Sequence, residues 1–81
     1  METGPVTPEP LVTPAEVRKI DRADGLVRVT CGVQLEAGQV RSHLREGDRT
    51  PSGFLRQAAA ERIADSLSAV ARAILAQRES S

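Results

Sequence analysis

Aromatic residues, cysteine and histidine are almost absent from this 81-residue sequence. Phe54 is its one aromatic residue, Cys31 its one cysteine and His43 its one histidine. A single aromatic side chain cannot supply the row of stacking platforms on which single-stranded nucleic acid is bound. One cysteine excludes an internal disulfide, and one cysteine plus one histidine fall short of the four ligands that structural zinc usually takes. We therefore expect neither a metal nor another cofactor.

An excess of charge and long apolar runs are also lacking. The 11 basic and 11 acidic residues cancel, which gives only weak support to nucleic-acid binding, since that function normally shows as a strong basic patch. No apolar run approaches the roughly 20 residues that span a membrane, and no signal peptide is recognisable. These absences predict a cytoplasmic protein with no membrane partner.

Catalytic patterns are missing as well. The sequence has no Gly-rich phosphate-binding loop, no metal-ligand spacing and no Ser/His/Asp arrangement in a recognisable context. A core as small as this chain can form rarely encloses a substrate cavity. We expect a protein that is not an enzyme and has no small-molecule substrate.

The composition divides the chain at about residue 25. Prolines at positions 5, 8 and 10 stand among Thr, Glu and Gly, so residues 1–24 are predicted to be a flexible N-terminal arm. Residues 25–81 then form the folding domain. A single core of about 55 residues is only marginally stable. With no disulfide or metal to support it, we expect a homodimer or a higher homo-oligomer.

Two local structures are compatible with the second half of the arm. The segment Thr13-Pro-Ala-Glu16 has the form of a capping box with proline at the first helical position, which predicts a short helix from Pro14 to about Ala23. Alternatively, residues 17–20 form a strand that a hairpin turn connects to the next segment. The sequence alone leaves both open.

The clearest periodic pattern lies in residues 26–35, where apolar and polar side chains alternate without interruption. The apolar side consists of Val27, Val29, Cys31, Val33 and Leu35. A strict period of two predicts one continuous strand with a buried and an exposed face. Because no other segment is so clearly a strand, its backbone donors and acceptors lack a partner in their own chain. We expect this strand to pair with the same strand of a second copy.

Residues 36–46 fit a helix or a strand. As a helix, Ala37, Val40 and Leu44 share one apolar stripe. As a strand, residues 40–45 would place alternate side chains on opposite faces. Gly38 costs a helix about 1 kcal/mol, yet the stripe favours the helix, and the strand is kept as the alternative.

A long C-terminal helix is predicted from residue 50 onwards. Thr50 is a good N-cap and Pro51 suits the first helical position, and apolar residues recur at helical spacing to about Gln77. A helix of about 40 Å is longer than a 55-residue domain is wide, about 25 Å. Either a second chain covers its overhanging heptad seam, as in a coiled coil, or the seam packs inside its own chain. The seam is formed by Ile63, Leu67, Val70 and Ile74.

The order strand, short helix, tight turn and second helix resembles the ribbon-helix-helix family of DNA-binding proteins. The resemblance is best in residues 28–33 (RVTCGV) and 50–59 (TPSGFLRQAA). The second segment is similar to plasmid mobilisation and partition members, and the resemblance covers about residues 26–65. It implies an intertwined homodimer in which the strands of two copies form an antiparallel ribbon that enters the major groove of double-stranded DNA. It also implies a phosphate at the N-terminus of the second helix.

This resemblance assigns roles to individual residues. On the ribbon, Arg28 can donate twice to guanine, Gln34 can pair with adenine, and Thr30 can serve either or touch a thymine methyl. Phosphates would be contacted at the start of the second helix, where backbone N–H groups are unsatisfied. The phosphate-contacting residues are Arg49, Thr50 and Ser52. The predicted dimer interface consists of Val29, Cys31, Val33, Ile63, Leu67, Val70 and Ile74.

Two expectations follow from these patterns. The first is a mostly α, ribbon-helix-helix-type homodimer with one N-terminal strand and an extended C-terminal helix. It would bind DNA sequence-specifically as a small transcription regulator or plasmid-type accessory protein of a bacterium or phage. The alternative is an α+β fold, with an antiparallel meander of residues 17–20, 26–35 and 40–45 on one long helix. That fold would serve as a non-enzymatic oligomerisation, adaptor or phage-type structural module.

Overall fold

The computed structural model describes residues 10–79, and residues 1–9 of the predicted arm lie outside the described part. The elements in chain order are α1 (Pro14–Asp21), β1 (Leu26–Arg28), β2 (Gln34–Glu36), α2 (Ala37–Arg41) and α3 (Gln57–Glu79). The fold is broadly α+β, with a two-stranded antiparallel sheet, helices and a long C-terminal helix. The predicted long C-terminal helix is therefore confirmed.

Helix α1 begins with the predicted capping box. The Thr13 hydroxyl accepts from the Glu16 N–H at 3.2 Å, and the Glu16 carboxylate accepts from the Thr13 N–H at 2.8 Å. Pro14 takes the first turn, where its missing N–H has no cost. The helix prediction is confirmed as far as Asp21, and the alternative strand over residues 17–20 is wrong.

Helix α1 and the residues just before it belong to the core. Val12, Val17 and Ile20 are fully buried. The Ser68 hydroxyl of α3 accepts from the Val12 N–H at 2.9 Å and contacts the Val12 carbonyl oxygen at 3.3 Å, which fixes the chain entering α1. The predicted arm of residues 1–24 is therefore wrong from Val12 onwards, because α1 has an apolar stripe that packs on α3.

The predicted continuous strand over residues 26–35 is wrong, because the segment is a hairpin within one chain. The Val29 N–H donates to the Val33 carbonyl at 2.9 Å, and the Gly32 N–H donates to the Val29 carbonyl at 2.7 Å. Gly32 has a φ of +86°, which a residue with a side chain rarely adopts. These features define a three-residue loop, Thr30 to Gly32, closed by a glycine bulge.

The alternation of the segment is compatible with both structures. In the hairpin, Val27 lies opposite Leu35, and Val29 lies opposite Val33 across the loop. A loop with an odd number of residues keeps alternate side chains on the same side of both strands, so the apolar face continues from one strand to the other. Periodicity therefore predicts the buried face but does not reveal the reversal of the chain.

Helix α2 and the segment after it depart from the predictions. The helix is shorter than the predicted residues 36–46, and residues 40–45 do not form the strand of the predicted meander.

Thr50 does not cap a helix. Its N–H donates to the Phe54 carbonyl and its carbonyl accepts from the Gly53 N–H, both at 2.8 Å, with Gly53 at a φ of +92°. This second loop of the Thr30–Gly32 type delays α3 until Gln57.

The predicted dimer interface is largely buried inside the chain. Val29, Val33, Ile63 and Leu67 are at most 3% exposed. Cys31, Val70 and Ile74 are half-buried and pack against the same core. The chain thus covers the first four of these residues itself, because α1 packs on α3, and the dimer interface stays a prediction.

Candidate interaction surfaces

Two of the three predicted base-reading residues lie side by side on the hairpin. We call its outward side the ribbon face; it consists of Leu26, Arg28, Gln34 and Glu36, all exposed. Arg28 lies directly opposite Gln34. Because the neighbouring residue Val29 donates to Val33, the 28–34 pair is one that exchanges no backbone hydrogen bonds, and such pairs bring their Cα atoms to about 4.5 Å.

Thr30 does not share the ribbon face. It lies in the hairpin loop, where its N–H and its hydroxyl each donate to Glu16 at 2.6 Å. The same carboxylate caps α1 through Thr13. Both donors of Thr30 thus attach the hairpin loop to α1, and its base-reading role stays a prediction that the ribbon face does not include.

Hydrogen bonding sets the ionisation of the Glu16 carboxyl. Its burial alone would raise the pKa, but hydrogen bonds from Thr30 and Thr13 outweigh burial and lower the pKa below its ordinary value of 4.5. The Asp21 carboxyl, at the other end of α1, has its pKa lowered from 3.8, first by its hydrogen bonds from Arg49. Both carboxylates are thus stabilised in their charged form by the folded state.

These pKa directions predict that acid destabilises the fold. A depressed folded-state pKa contributes stability above the unfolded-state pKa, and this contribution is lost as the pH falls through both values. We expect the free energy of unfolding to be constant near neutral pH and to fall below about pH 4.5. The Glu16→Gln variant should be less stable at pH 7 and show a shallower acid loss, as measured by urea denaturation at several pH values.

The matched control for this experiment is Glu46→Gln, since Glu46 is an exposed carboxylate outside these hydrogen bonds. It should keep both the stability and the acid dependence of the original chain. An unchanged acid loss in Glu16→Gln would contradict the role given to Glu16.

The predicted phosphate-contacting residues are also placed differently from the expectation. Arg49 donates to both carboxylate oxygens of Asp21, at 2.7 and 2.9 Å, and to the Gly53 carbonyl at 3.0 Å. Thr50 accepts from the Phe54 N–H within the loop, and Ser52 is the exposed one of the three predicted residues. The helix N-terminus on which the phosphate site was predicted does not lie at Thr50, because α3 begins at Gln57.

A surface that sequence reasoning did not assign to binding lies at the C-terminal end of α1. Leu26 and Phe54 are the large apolar side chains left exposed in residues 10–79, at 63% and 55%. The Arg22 guanidinium carbon lies 5.2 Å from the centre of the Phe54 ring, within the range of a cation–π interaction. Arg22 and Arg41 are also close enough to Asp21 to help lower its pKa. Phe54 is the one aromatic residue of the chain, and this was the feature of the sequence that could have indicated the surface.

A shallow cleft of about 260 Å³ lies beside this surface. Small residues form much of its wall, and two carboxylates and one guanidinium line it. Its residues are Ala23, Asp24, Gly25, Glu36, Ala37, Gly38 and Arg41. The volume is below the roughly 300–1,000 Å³ of small-molecule sites, so the cleft is of a size to admit one side chain.

The comparisons with known proteins identify no relative: no family model, no curated protein and no solved structure matches the chain. Within residues 10–79, no helix is both long and apolar enough to cross a membrane. In the same residues, no three acidic, histidine or cysteine side chains are grouped so as to hold a metal ion.

Proposed function

We propose that the chain is a small DNA-binding protein that inserts the ribbon face of its own hairpin into the major groove. The observation that carries the proposal is the position of Arg28 directly opposite Gln34 on the exposed side of a two-stranded ribbon. The function is that of a regulator or plasmid-type accessory protein. The ribbon differs from the predicted one, because one chain supplies both of its strands.

The dimensions of the ribbon support this function. A two-stranded ribbon fits a major groove about 12 Å wide. The side chains of Arg28 and Gln34 start about 5 Å apart, and stacked base pairs are 3.4 Å apart. Arg28 can therefore donate twice to a guanine while Gln34 pairs with an adenine at the next step.

The charge distribution predicts weak general attraction to DNA. Residues 10–79 hold eleven basic and nine acidic residues, and Arg49 and Arg62 are engaged by Asp21 and Asp48. Because these residues carry a net charge of only +2, the affinity for DNA should fall only about as the second or third power of the salt concentration. Specific binding would then depend mainly on contacts to bases.

Replacing Arg28 tests this function directly. A duplex is selected from a random library, and its affinity is measured by fluorescence anisotropy at two salt concentrations. We expect Arg28→Ala to weaken specific binding by about 1–3 kcal/mol without changing the salt slope, because a bidentate base contact is lost.

The matched control is Arg45→Ala, which removes an exposed arginine from outside the ribbon face and should have little effect on the selected duplex. Failure to select any duplex, or equal losses in the two variants, would contradict the proposal.

A second candidate function is a protein-binding module, in agreement with the alternative drawn from the sequence. The exposed Phe54 ring under the Arg22 guanidinium favours it, because aromatic and arginine side chains are enriched where interfaces are strongest.

A further inference from the structure

The Phe54 ring is presented on a loop that the fold holds in place. Two backbone hydrogen bonds between Thr50 and residues 53 and 54 close the loop. Arg49 fixes it from the side, by donating to the Gly53 carbonyl and to Asp21. A side chain on a fixed backbone loses less conformational freedom when it is bound than one on a flexible loop, which favours binding. We call Phe54 together with Arg22 the aromatic knob.

The neighbouring cleft has the properties that the aromatic knob requires of a binding site. Ala23, Gly25, Ala37 and Gly38 leave room for a large side chain, and a Cβ added at Gly25 would meet no atom within 4 Å. Asp24 and Glu36 bring two carboxylates to its wall. The Phe54 ring therefore matches this cleft in size. The Arg22 guanidinium over the ring is attracted by the two carboxylates, which outnumber the one guanidinium of Arg41 in the wall.

The knob and the cleft adjoin each other in the chain. Arg22 belongs to the knob and Asp24 to the cleft, with only Ala23 between them. Arg41, in the wall of the cleft, is also near Asp21, which binds the arginine that fixes the loop. A surface that carries both partners of a complementary pair side by side is self-complementary, which a two-fold symmetric interface requires.

We infer that two copies of this chain associate about a two-fold axis, with the aromatic knob of each copy in the cleft of the other. Arg22 of each copy then lies against Asp24 and Glu36 of its partner. This association shares only Glu36 with the ribbon face, leaves the α3 seam uncovered and does not depend on DNA binding. Its test contains no DNA, so its failure is separate from failure of the proposed function.

The oligomeric state in solution tests the inference. Sedimentation velocity of the full chain across micromolar concentrations should show a reversible monomer–dimer equilibrium. We expect Phe54→Ala to raise the dimer dissociation constant at least about tenfold, which is typical of a central interface residue. The control is Glu61→Ala, which truncates an exposed side chain of α3 and should leave the constant unchanged.

Filling the cleft should also weaken the dimer, because the aromatic knob of the partner copy could then no longer enter it. Gly38→Met places a long side chain there, and the new Cβ would meet only the Glu36 carboxylate, at 4.0 Å. Because methionine also favours a helix more than glycine does, the variant should keep its fold, as checked by circular dichroism. We expect it to be monomeric wherever the original chain is dimeric.

Exchanging the charges of Arg22 and Asp24 tests whether these two residues contact each other across the dimer. Arg22→Asp and Asp24→Arg should each weaken the dimer, because like charges then face each other, and the double variant should restore it. The control Asp65→Arg reverses an exposed charge on α3 and should have no effect. A chain that stays monomeric at all concentrations, or a dimer indifferent to Phe54→Ala and Gly38→Met, would overturn the inference.

Discussion

Replacing Ile20 with alanine is expected to lower the free energy of unfolding by about 2–5 kcal/mol, the usual loss when a large aliphatic side chain is removed from a core. In a flexible arm, Ile20 would add nothing to the stability of a core. In the structure it is fully buried on α1, which packs on α3. Urea denaturation measures the difference. Since domains of this size are only marginally stable, such a loss removes much of the total.

Leu26→Ala is the matched control for this experiment. It removes a side chain of the same size that is 63% exposed, and it should cost less than about 1 kcal/mol. If Ile20→Ala left the unfolding midpoint unchanged, α1 would not be part of the cooperative unit, and the domain would begin after it.

The predictions from the sequence succeed where neighbouring residues decide the structure. The capping box of α1 needs only Thr13, Pro14 and Glu16, and all three lie within one turn. The apolar stripe that starts at Ala59 likewise produces α3 over most of its predicted length. Such local structures can be predicted because the interacting residues are close in sequence.

The predictions fail where contacts between residues distant in sequence determine the structure. Glu16 binds Thr30, and Arg49 binds Asp21, so the hairpin loop is attached to one end of α1 and the loop before α3 to the other. An 8-residue helix is about 12 Å long, which separates two groups of residues that the sequence placed in one DNA-binding site. No periodicity reveals such contacts.

The aromatic knob shows a different limit of sequence reasoning. Phe54 was predicted to lie within the first turns of a helix, where one face would be available for the core. Gly53 instead adopts a positive φ, and the loop that it closes leaves the ring 55% exposed. A glycine that follows Thr-Pro-Ser is thus better interpreted as a turn signal than as part of a helix.

The sign of the stability change caused by Gly32→Val distinguishes the hairpin from a continuous strand. In a continuous strand, Gly32→Val would stabilise the protein, because valine favours extended structure and glycine does not. In the hairpin, the φ of +86° makes a β-branched residue strained, at a cost of about 1–3 kcal/mol. We expect the second result, as a lower midpoint of urea denaturation.

Gly25→Val is the control for this substitution, because Gly25 has no positive φ and an added Cβ there meets no atom within 4 Å. It should change the stability by less than about 0.5 kcal/mol. A strained loop would also pull Thr30 from Glu16, so Gly32→Val should lose part of the acid dependence assigned to that carboxylate. Stabilisation by Gly32→Val would instead restore the continuous strand, and with it a ribbon built from two chains.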